Sequence, residues 1–217
     1  MKFLLFLLLV SVSPAETLHY NINWPSQLSL GEATITSTPG KDQWLFDLDV
    51  DASVPGFAVK EHGHSSASSE LCSVQLDKTS THGQRKGAER VTFDQQNNRV
   101  TRESLNGGGR SEISVSGCAR DALTFLQFMR KELAQGRIAP QQQVFWGGPY
   151  QVRVEFTGQQ SIKVGEQQLD ADRILATVKG ASSDITVELF FARDAARTPV
   201  LAKIPVALAT FTVELIR

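Results

Sequence analysis

Apolar and polar residues alternate one by one along much of this sequence, and no other feature constrains its fold as strongly. Successive side chains of a β-strand point to opposite faces of a sheet, so alternation predicts a strand with one buried face and one wet face. The chain is therefore predicted to be mainly β. The clearest alternating runs are residues 18–24, 44–50, 150–156, 185–191 and 211–215.

Residues 121–134 break the alternation and predict one mid-chain α-helix. Asp121 suits the N-cap position, and Gly136 follows the last turn. A lone helix does not create the strand–helix alternation of a parallel α/β sheet. Many short strands instead indicate a large antiparallel, up-and-down sheet. It could form a sandwich, but a barrel is favoured because a barrel leaves no exposed strand edges.

The first fifteen residues resemble a secretory leader. Lys2 precedes an apolar run at residues 3–10, and the small residues Ser13 and Ala15 follow. The run is far shorter than the roughly 20 residues that a membrane-spanning helix needs. We expect residues 1–15 to be a signal peptide removed near Ala15, and residues 16–217 to form a single β-barrel-like domain. Such a protein is expected to be exported, in the periplasm or outside the cell, and soluble.

The composition excludes several classes of partner. The formal net charge of −1 becomes −2 when Lys2 leaves with the leader, and no long run of like charges indicates nucleic acid. No second apolar stretch is long enough for a membrane span in the mature chain. Hydrophobic residues make up 41% of the sequence, which is enough for a sizeable core. No pattern indicates a cofactor, and the oligomeric state is not indicated.

Two cysteines, Cys72 and Cys118, are the only ones in the sequence. In an exported chain a pair of cysteines favours one disulfide bond. Closing a loop of that length stabilises a fold by about 4 kcal/mol in the chain-entropy model. The alternative is two separate buried thiols.

Two short motifs contain residue types that are used in catalysis or metal binding. Residues 63–67, Gly-His-Ser-Ser-Ala, have the spacing of a hydrolase nucleophile elbow, but they lead into a strand and not a helix. His62 and His64 would share one face of a strand, but a metal site needs three or four ligands. A polar loop is the favoured interpretation of both, so neither a catalytic residue nor a metal ligand is predicted.

Two pairs of carboxylates are of the kind that a glycosidase uses. Asp47 and Asp49 lie on the polar face of an amphipathic strand, as expected for the outside of a barrel. Asp170 and Asp172 form the second pair, and an ion pair between Asp172 and Arg173 is expected. Neither pair has the apolar surroundings that perturb a catalytic carboxyl group, so surface positions are favoured.

Four aromatic residues and one arginine are the candidate ligand-binding residues. Tyr20, Trp24, Trp44 and Phe46 lie on the predicted inner faces of early strands. They line a cavity if the barrel is wide and form its core if the barrel is narrow, and the core interpretation is favoured. Arg130, at the end of the helix, suits the helix dipole and could bond a strand carboxylate.

The second half of the chain resembles a known family. Residues 118–130 run from a Cys-Ala-Arg-Asp start along the predicted helix to Arg130. Gly136 and then residues 148–154, Gly-Pro-Tyr-Gln-Val-Arg-Val, come after them. Residues 188–199 end in an Asp-x-x-Arg-x-Pro turn. This order resembles the exported bacterial family known as domain of unknown function 3108. The resemblance implies an envelope protein with a large barrel-like antiparallel fold, and it implies no activity.

These observations favour a non-enzymatic envelope protein that binds an amphipathic ligand, such as a lipid or glycan intermediate, or a protein partner. The motivation is an exported β-rich chain without a convergent catalytic set. Two alternatives stay open. One is a hydrolase that acts on envelope polymers, which would need a cleft with paired, partly buried acids. The other is a purely structural assembly factor, which would have a filled interior.

Overall fold

The computed structural model describes residues 14–26, 28–54, 57–181, 184–206 and 209–216. Most of the leader, residues 1–13, lies outside the described residues. The elements are β1 (Glu16–Asn23), β2 (Ser29–Pro39), β3 (Gln43–Val54), β4 (Phe57–Ser68), β5 (Ser73–His82), β6 (Arg85–Asp94), β7 (Arg99–Ser104), β8 (Arg110–Ser114), β9 (Arg120–Asp121), α1 (Ala122–Ala134), β10 (Gln142–Trp146), β11 (Gly148–Val164), β12 (Gln167–Lys179), β13 (Asp184–Ala192), β14 (Pro199–Val206) and β15 (Ala209–Leu215).

All of these strands belong to one 15-stranded sheet with the order β8-β7-β6-β5-β4-β3-β2-β1-β15-β14-β13-β12-β11-β10-β9. The sheet is an up-and-down meander in two arms, which meet where β1 pairs with β15. Neighbouring strands are antiparallel except for the short parallel pair β9–β10. The predicted fold class, a large antiparallel barrel-like sheet with one mid-chain helix, is confirmed.

The sheet curls but does not close by pairing its two end strands, β8 and β9. The closing contacts are instead made between β9 and β5. The Ser73 amide donates to the Ala119 carbonyl across 3.0 Å. A disulfide joins Cys72 to Cys118 directly beside this contact. The predicted disulfide therefore fastens the outermost strand of one arm to an inner strand of the other.

Asp121 is the buried junction of this closure. Its carboxylate caps α1 by accepting hydrogen bonds from the amides of Leu123 and Thr124, at 2.9 and 3.0 Å. The same carboxylate accepts hydrogen bonds from the hydroxyls of Ser65 on β4, at 2.6 Å, and Ser73 on β5, at 2.5 Å. The predicted N-cap is thus also the link between the helix and the opposite arm of the sheet.

The long hairpin β11–β12 bends at its bulge and covers a separate apolar cluster. The register of the pair shifts between Phe156 and Gly158. Beyond this point, Ile162, Val164 and Ala171 pack in one cluster with Phe190 and other residues of the C-terminal strands. At the tip, the Gly165 amide donates to the Glu214 carboxylate on β15.

We predict that Asp121→Ala lowers the free energy of unfolding by at least about 3 kcal/mol. The substitution removes the helix cap and leaves two buried serine hydroxyls without their acceptor, and each of these losses costs about 1–2 kcal/mol. Urea denaturation followed by circular dichroism measures the change. Asp51→Ala is the control, because the Asp51 side chain is 70% exposed. Equal losses in the two variants would contradict the role given to Asp121.

Candidate functional site: an apolar cavity beside the helix

The helix divides the inner face of the sheet into a filled part and a hollow part. Its first turns pack on the strands near the closure, where Leu123 and Phe128 join Phe46 and Ala67 in one cluster. Another face of the helix buries Phe125, Met129 and Leu133 against β10–β13. Leu126, between these two contacts, borders open space. The helix therefore covers one end of the curled sheet and leaves the other end uncovered.

The uncovered end holds a cavity of about 440 Å³, which lies in the range typical of small-molecule sites. Its wall comes from the central strands β1, β2, β3, β14 and β15, with Leu126 of the helix as the floor. The lining atoms are almost all apolar. Representative lining residues are Ile22, Ile35, Val50, Ala202, Phe211 and Val213.

Tyr20 and Ser53 are the lining residues that carry a hydroxyl group, and the Tyr20 hydroxyl already has a partner in the protein. The Tyr20 hydroxyl donates to the Pro199 carbonyl across 2.9 Å, and the residue is only 4% exposed. Burial raises the pKa of the Tyr20 phenol, although the nearby Arg130 guanidinium acts in the opposite direction. Tyr20 therefore presents its ring to the cavity and keeps its polar atom in the protein.

The other three predicted aromatic residues occupy different places. Trp24 lies at the open end, where its ring meets Phe211 edge-on with centroids 5.0 Å apart. Trp44 and Phe46 stack with centroids 5.8 Å apart, and they pack in the cluster below the helix start. Of the four, only Tyr20 lines the cavity. A ligand contact by any of them stays a prediction.

Arg130 is an anchor of the helix. Its guanidinium forms two bonds with the carboxylate of Glu16 on β1, at 2.6 and 2.9 Å. Its Nε also donates to the Ala196 carbonyl across 3.0 Å. Arg130 is 5% exposed. The expected bond to a strand carboxylate is present, and it ties the helix to the first strand and to the β13–β14 turn.

Charged side chains replace apolar ones where the inner face continues from β3 onto β4 and β5. Glu61 pairs in register with the cavity residue Val50. Its carboxylate lies 3.0 Å from Nε2 of His82 and 3.5 Å from Nζ of Lys78, and it accepts from Nε1 of Trp146 at 3.3 Å. These four residues, Glu61, Lys78, His82 and Trp146, are called the polar cluster below. The polar cluster therefore lies beyond the cavity wall, on the same inner face as the lining residue Val50.

The polar cluster is packed closely against β10. A Cβ atom added to Gly63 would lie 2.6 Å from the Trp146 ring, so only glycine leaves room for this indole. The Lys78 ammonium lies 5.0 Å from the same ring, within the range of a cation–π contact. On the next strand pair, Arg102 and Glu89 form an ion pair at 2.6 Å. The motif at residues 63–67 therefore lies within β4 and serves packing.

The predicted surface positions of Asp47 and Asp49 agree with the structure. They face outward across β3–β4, where Asp47 lies 2.6 Å from His64 and Asp49 lies 2.8 Å from His62. These carboxylates therefore have imidazole partners on the wet face. Within the described residues, no group of three or more His, Cys, Asp or Glu could hold a metal ion.

Asp170 is exposed as predicted, but Asp172 is only 6% exposed, so its predicted surface position is wrong. The expected ion pair between Asp172 and Arg173 is also wrong. Asp172 pairs with Arg197 at 2.8 Å, and Arg173 pairs with Glu188 at 2.7 Å. The physical reason is the strand itself, because adjacent residues of β12 point to opposite faces. The Asp-x-x-Arg-x-Pro turn therefore supplies the partner of Asp172.

The chain was compared with known proteins. A family model described as "Protein of unknown function (DUF3108)" matches residues 17–216. The chain belongs to this family. A crystal structure of a "Beta-barrel-like Protein of Domain of Unknown Function DUF1849" from Brucella abortus has a similar fold, with a TM-score of 0.69 at 5% identity. That similarity covers 94% of this chain and 96% of the other chain. No curated protein matches the sequence.

Within the described part of the chain, no helix has the length and hydropathy to cross a membrane.

We predict that the stability of the protein falls above about pH 10 because Tyr20 is buried. Burial raises the Tyr20 pKa in the folded state, whereas the phenol ionises near pH 10 in the unfolded chain. Above that pH the unfolded state binds fewer protons, so the unfolding free energy falls by up to about 1.4 kcal/mol per pH unit. Urea titrations at about pH 9 and about pH 11 measure the difference. In Tyr20→Phe the unfolding free energy should fall less between the two pH values than in the wild type. An equal fall in the two proteins would contradict the role given to Tyr20.

Proposed function

We propose that this protein is an exported envelope protein that binds an amphipathic ligand, with the hydrocarbon part of the ligand in the apolar cavity. The observation that carries the proposal is the cavity itself, about 440 Å³ of space whose lining is almost all apolar. Each methylene moved from water into such a site gains about 0.8 kcal/mol. A short acyl or polyprenyl segment suits these walls better than a free sugar or a peptide.

The polar cluster supports an amphipathic ligand over a purely apolar one. Glu61 lies on the same inner face as Val50, across the β3–β4 pair. A head group placed over β4 and β5 would meet a carboxylate, an ammonium, an imidazole and an indole N–H. The cluster contains both a carboxylate and an ammonium group, so it offers hydrogen-bond acceptors and donors together. This combination suits a polar or zwitterionic head group.

Export is part of the proposal, and two observations support it. Residues 1–15 have the pattern of a secretory leader. The disulfide between Cys72 and Cys118 is of a kind that persists in oxidising compartments. We propose cleavage near Ala15, which would leave Glu16, the partner of Arg130, at the start of the mature chain.

The hydrolase alternative gains little from the inner carboxylates. Glu61 and Glu89 are partly buried, with side chains 17% and 13% exposed. Each is paired with a cation, Lys78 or Arg102, whereas a glycosidase general acid needs a carboxyl group held in its protonated form. The cavity likewise favours binding over a purely structural role, for which a filled interior was expected.

The test is to fill the cavity. We predict that Val50→Trp lowers the affinity for the fluorescent apolar dye 1-N-phenylnaphthylamine, and for palmitate that displaces it, by at least about tenfold. An indole that excludes two methylenes of ligand removes about 1.6 kcal/mol of transfer free energy. Fluorescence titration measures both affinities.

The matched control is Glu32→Trp, which adds the same indole to the outer face of the neighbouring strand. Glu32 is exposed and pairs in register with Asp51, so its loss relieves a like-charge contact. We expect wild-type affinity from this variant. An unchanged affinity in Val50→Trp that folds normally, or no dye binding by the wild type, would contradict the proposal.

A further inference from the structure

The open end of the cavity carries exposed apolar side chains in several hairpins. Because the strands alternate in direction, the connections that follow β1, β3, β5 and β14 all lie at the same end of the sheet. Three large apolar residues are exposed there: Leu28 at 59%, Phe57 at 46% and Val206 at 44%. They are called the apolar rim below, and they border the strand ends that line the cavity.

Further aromatic side chains connect the apolar rim to the cavity. The half-buried Trp24 lies in the same β1–β2 hairpin as Leu28, whose carbonyl accepts the Trp24 amide at 2.9 Å. The Trp24 ring contacts Phe211, which lines the cavity wall. Tryptophan combines an apolar body with an N–H group and is enriched where proteins meet the interface of a membrane.

Two unpaired cations stand beside the apolar rim. Arg85 and Lys86 begin β6 directly after the β5–β6 turn, and both are exposed. Neither forms an ion pair with another residue in the described ranges, whereas Lys60 nearby is paired with Asp51 at 2.7 Å. A Cβ atom added to Gly83 in this turn would lie 3.1 Å from the Phe57 ring. The turn that precedes Arg85 and Lys86 therefore lies against Phe57 of the apolar rim.

We infer that this end of the protein docks on an anionic lipid surface, so that the cavity opens toward the lipid. Exposed apolar side chains at loop tips can enter the interface of a bilayer, and basic residues beside them are attracted to anionic head groups. The polarity of the surface favours an anionic lipid layer over a protein partner, because two exposed cations, Arg85 and Lys86, stand on one side of a small apolar centre. The docking itself does not require the proposed function. Its suggested purpose, the exchange of ligand with the lipid layer, does rest on the proposed function.

The experiment is vesicle flotation of the mature protein. Vesicles of phosphatidylglycerol with phosphatidylethanolamine are compared with vesicles of phosphatidylcholine alone. The wild type should float with the anionic vesicles, and binding should weaken as salt is added. We predict that the double variant Arg85→Gln, Lys86→Gln lowers the partition coefficient by about 25-fold, which is about fivefold for each basic residue.

Phe57→Ser tests the apolar contact, and the chain offers a matched control. Phe156 on β11 is also 46% exposed but lies outside the apolar rim. We expect Phe57→Ser to lower vesicle binding at least fivefold and Phe156→Ser to leave it unchanged. Equal effects of the two substitutions would overturn the inference, as would equal binding of the wild type to both kinds of vesicle.

Failure of docking and failure of ligand binding give different results. Dye binding in solution needs the cavity alone, so Phe57→Ser should keep wild-type affinity for 1-N-phenylnaphthylamine. A wild type that binds the dye but does not float with anionic vesicles overturns the docking and leaves the proposed function intact. A wild type that floats but does not bind the dye contradicts the proposed function and supports the docking surface.

Discussion

The carboxylate of Asp121 holds together three parts of the protein that are distant in sequence. It caps the helix and accepts hydrogen bonds from the hydroxyls of Ser65 and Ser73 on the other arm of the sheet. Because these groups are buried, loss of the carboxylate would leave both hydroxyls without their charged acceptor. The disulfide beside it, between Cys72 and Cys118, fastens the same junction. The helix is therefore fixed at one end of a curled sheet.

The hollow end follows from this placement. A helix of 13 residues is about 20 Å long, and its apolar side chains can cover only part of a 15-stranded sheet. Arg130 and Glu16 fix its far end through two hydrogen bonds. With both ends anchored, Leu126 forms a floor. The aliphatic side chains beyond it pack against a neighbouring core cluster on one side and border the cavity on the other. A cavity between well-packed clusters is the result.

Much of the fold could be predicted from the sequence, because strands and helices leave local periodic patterns. The cap at Asp121 and the break in alternation identified the helix. The cavity could not be predicted in this way. Trp44, Phe46, Leu48 and Val50 belong to one uniform alternating run on one face of β3. The helix covers the first two, and the last two line the cavity, a difference that arises from contacts far along the chain.

The site residues show the same limit. The alternating pattern places Tyr20 on an inner face, and Tyr20 lines the cavity. Arg130 was selected for its position at a helix end, but its partner Glu16 lies 114 positions away in the sequence. The partners of Asp121 were equally hidden, since Ser65 belongs to a segment that resembled a polar loop. The signal available for the cavity was the set of small residues Ala33, Ala52 and Ala202 on the inner faces.

The motif through which the chain resembles its family lies at the closed end. Arg130 bonds the Ala196 carbonyl inside the Asp-x-x-Arg-x-Pro turn, and Arg197 of that turn bonds Asp172. These contacts hold the helix and the C-terminal strands together. The motif thus describes how the curled sheet is built, whereas the ligand preference that we propose rests on the aliphatic wall and the polar cluster.

The central claim is that the helix leaves a hollow, apolar end inside the sheet. The most direct measurement is a crystal structure of the protein produced without residues 1–15, grown with a fatty acid that carries bromine on its terminal carbon. We predict an anomalous bromine peak between Val50 and Val213, above Leu126. An interior filled by protein side chains, or bromine only on the outer surface, would contradict the account.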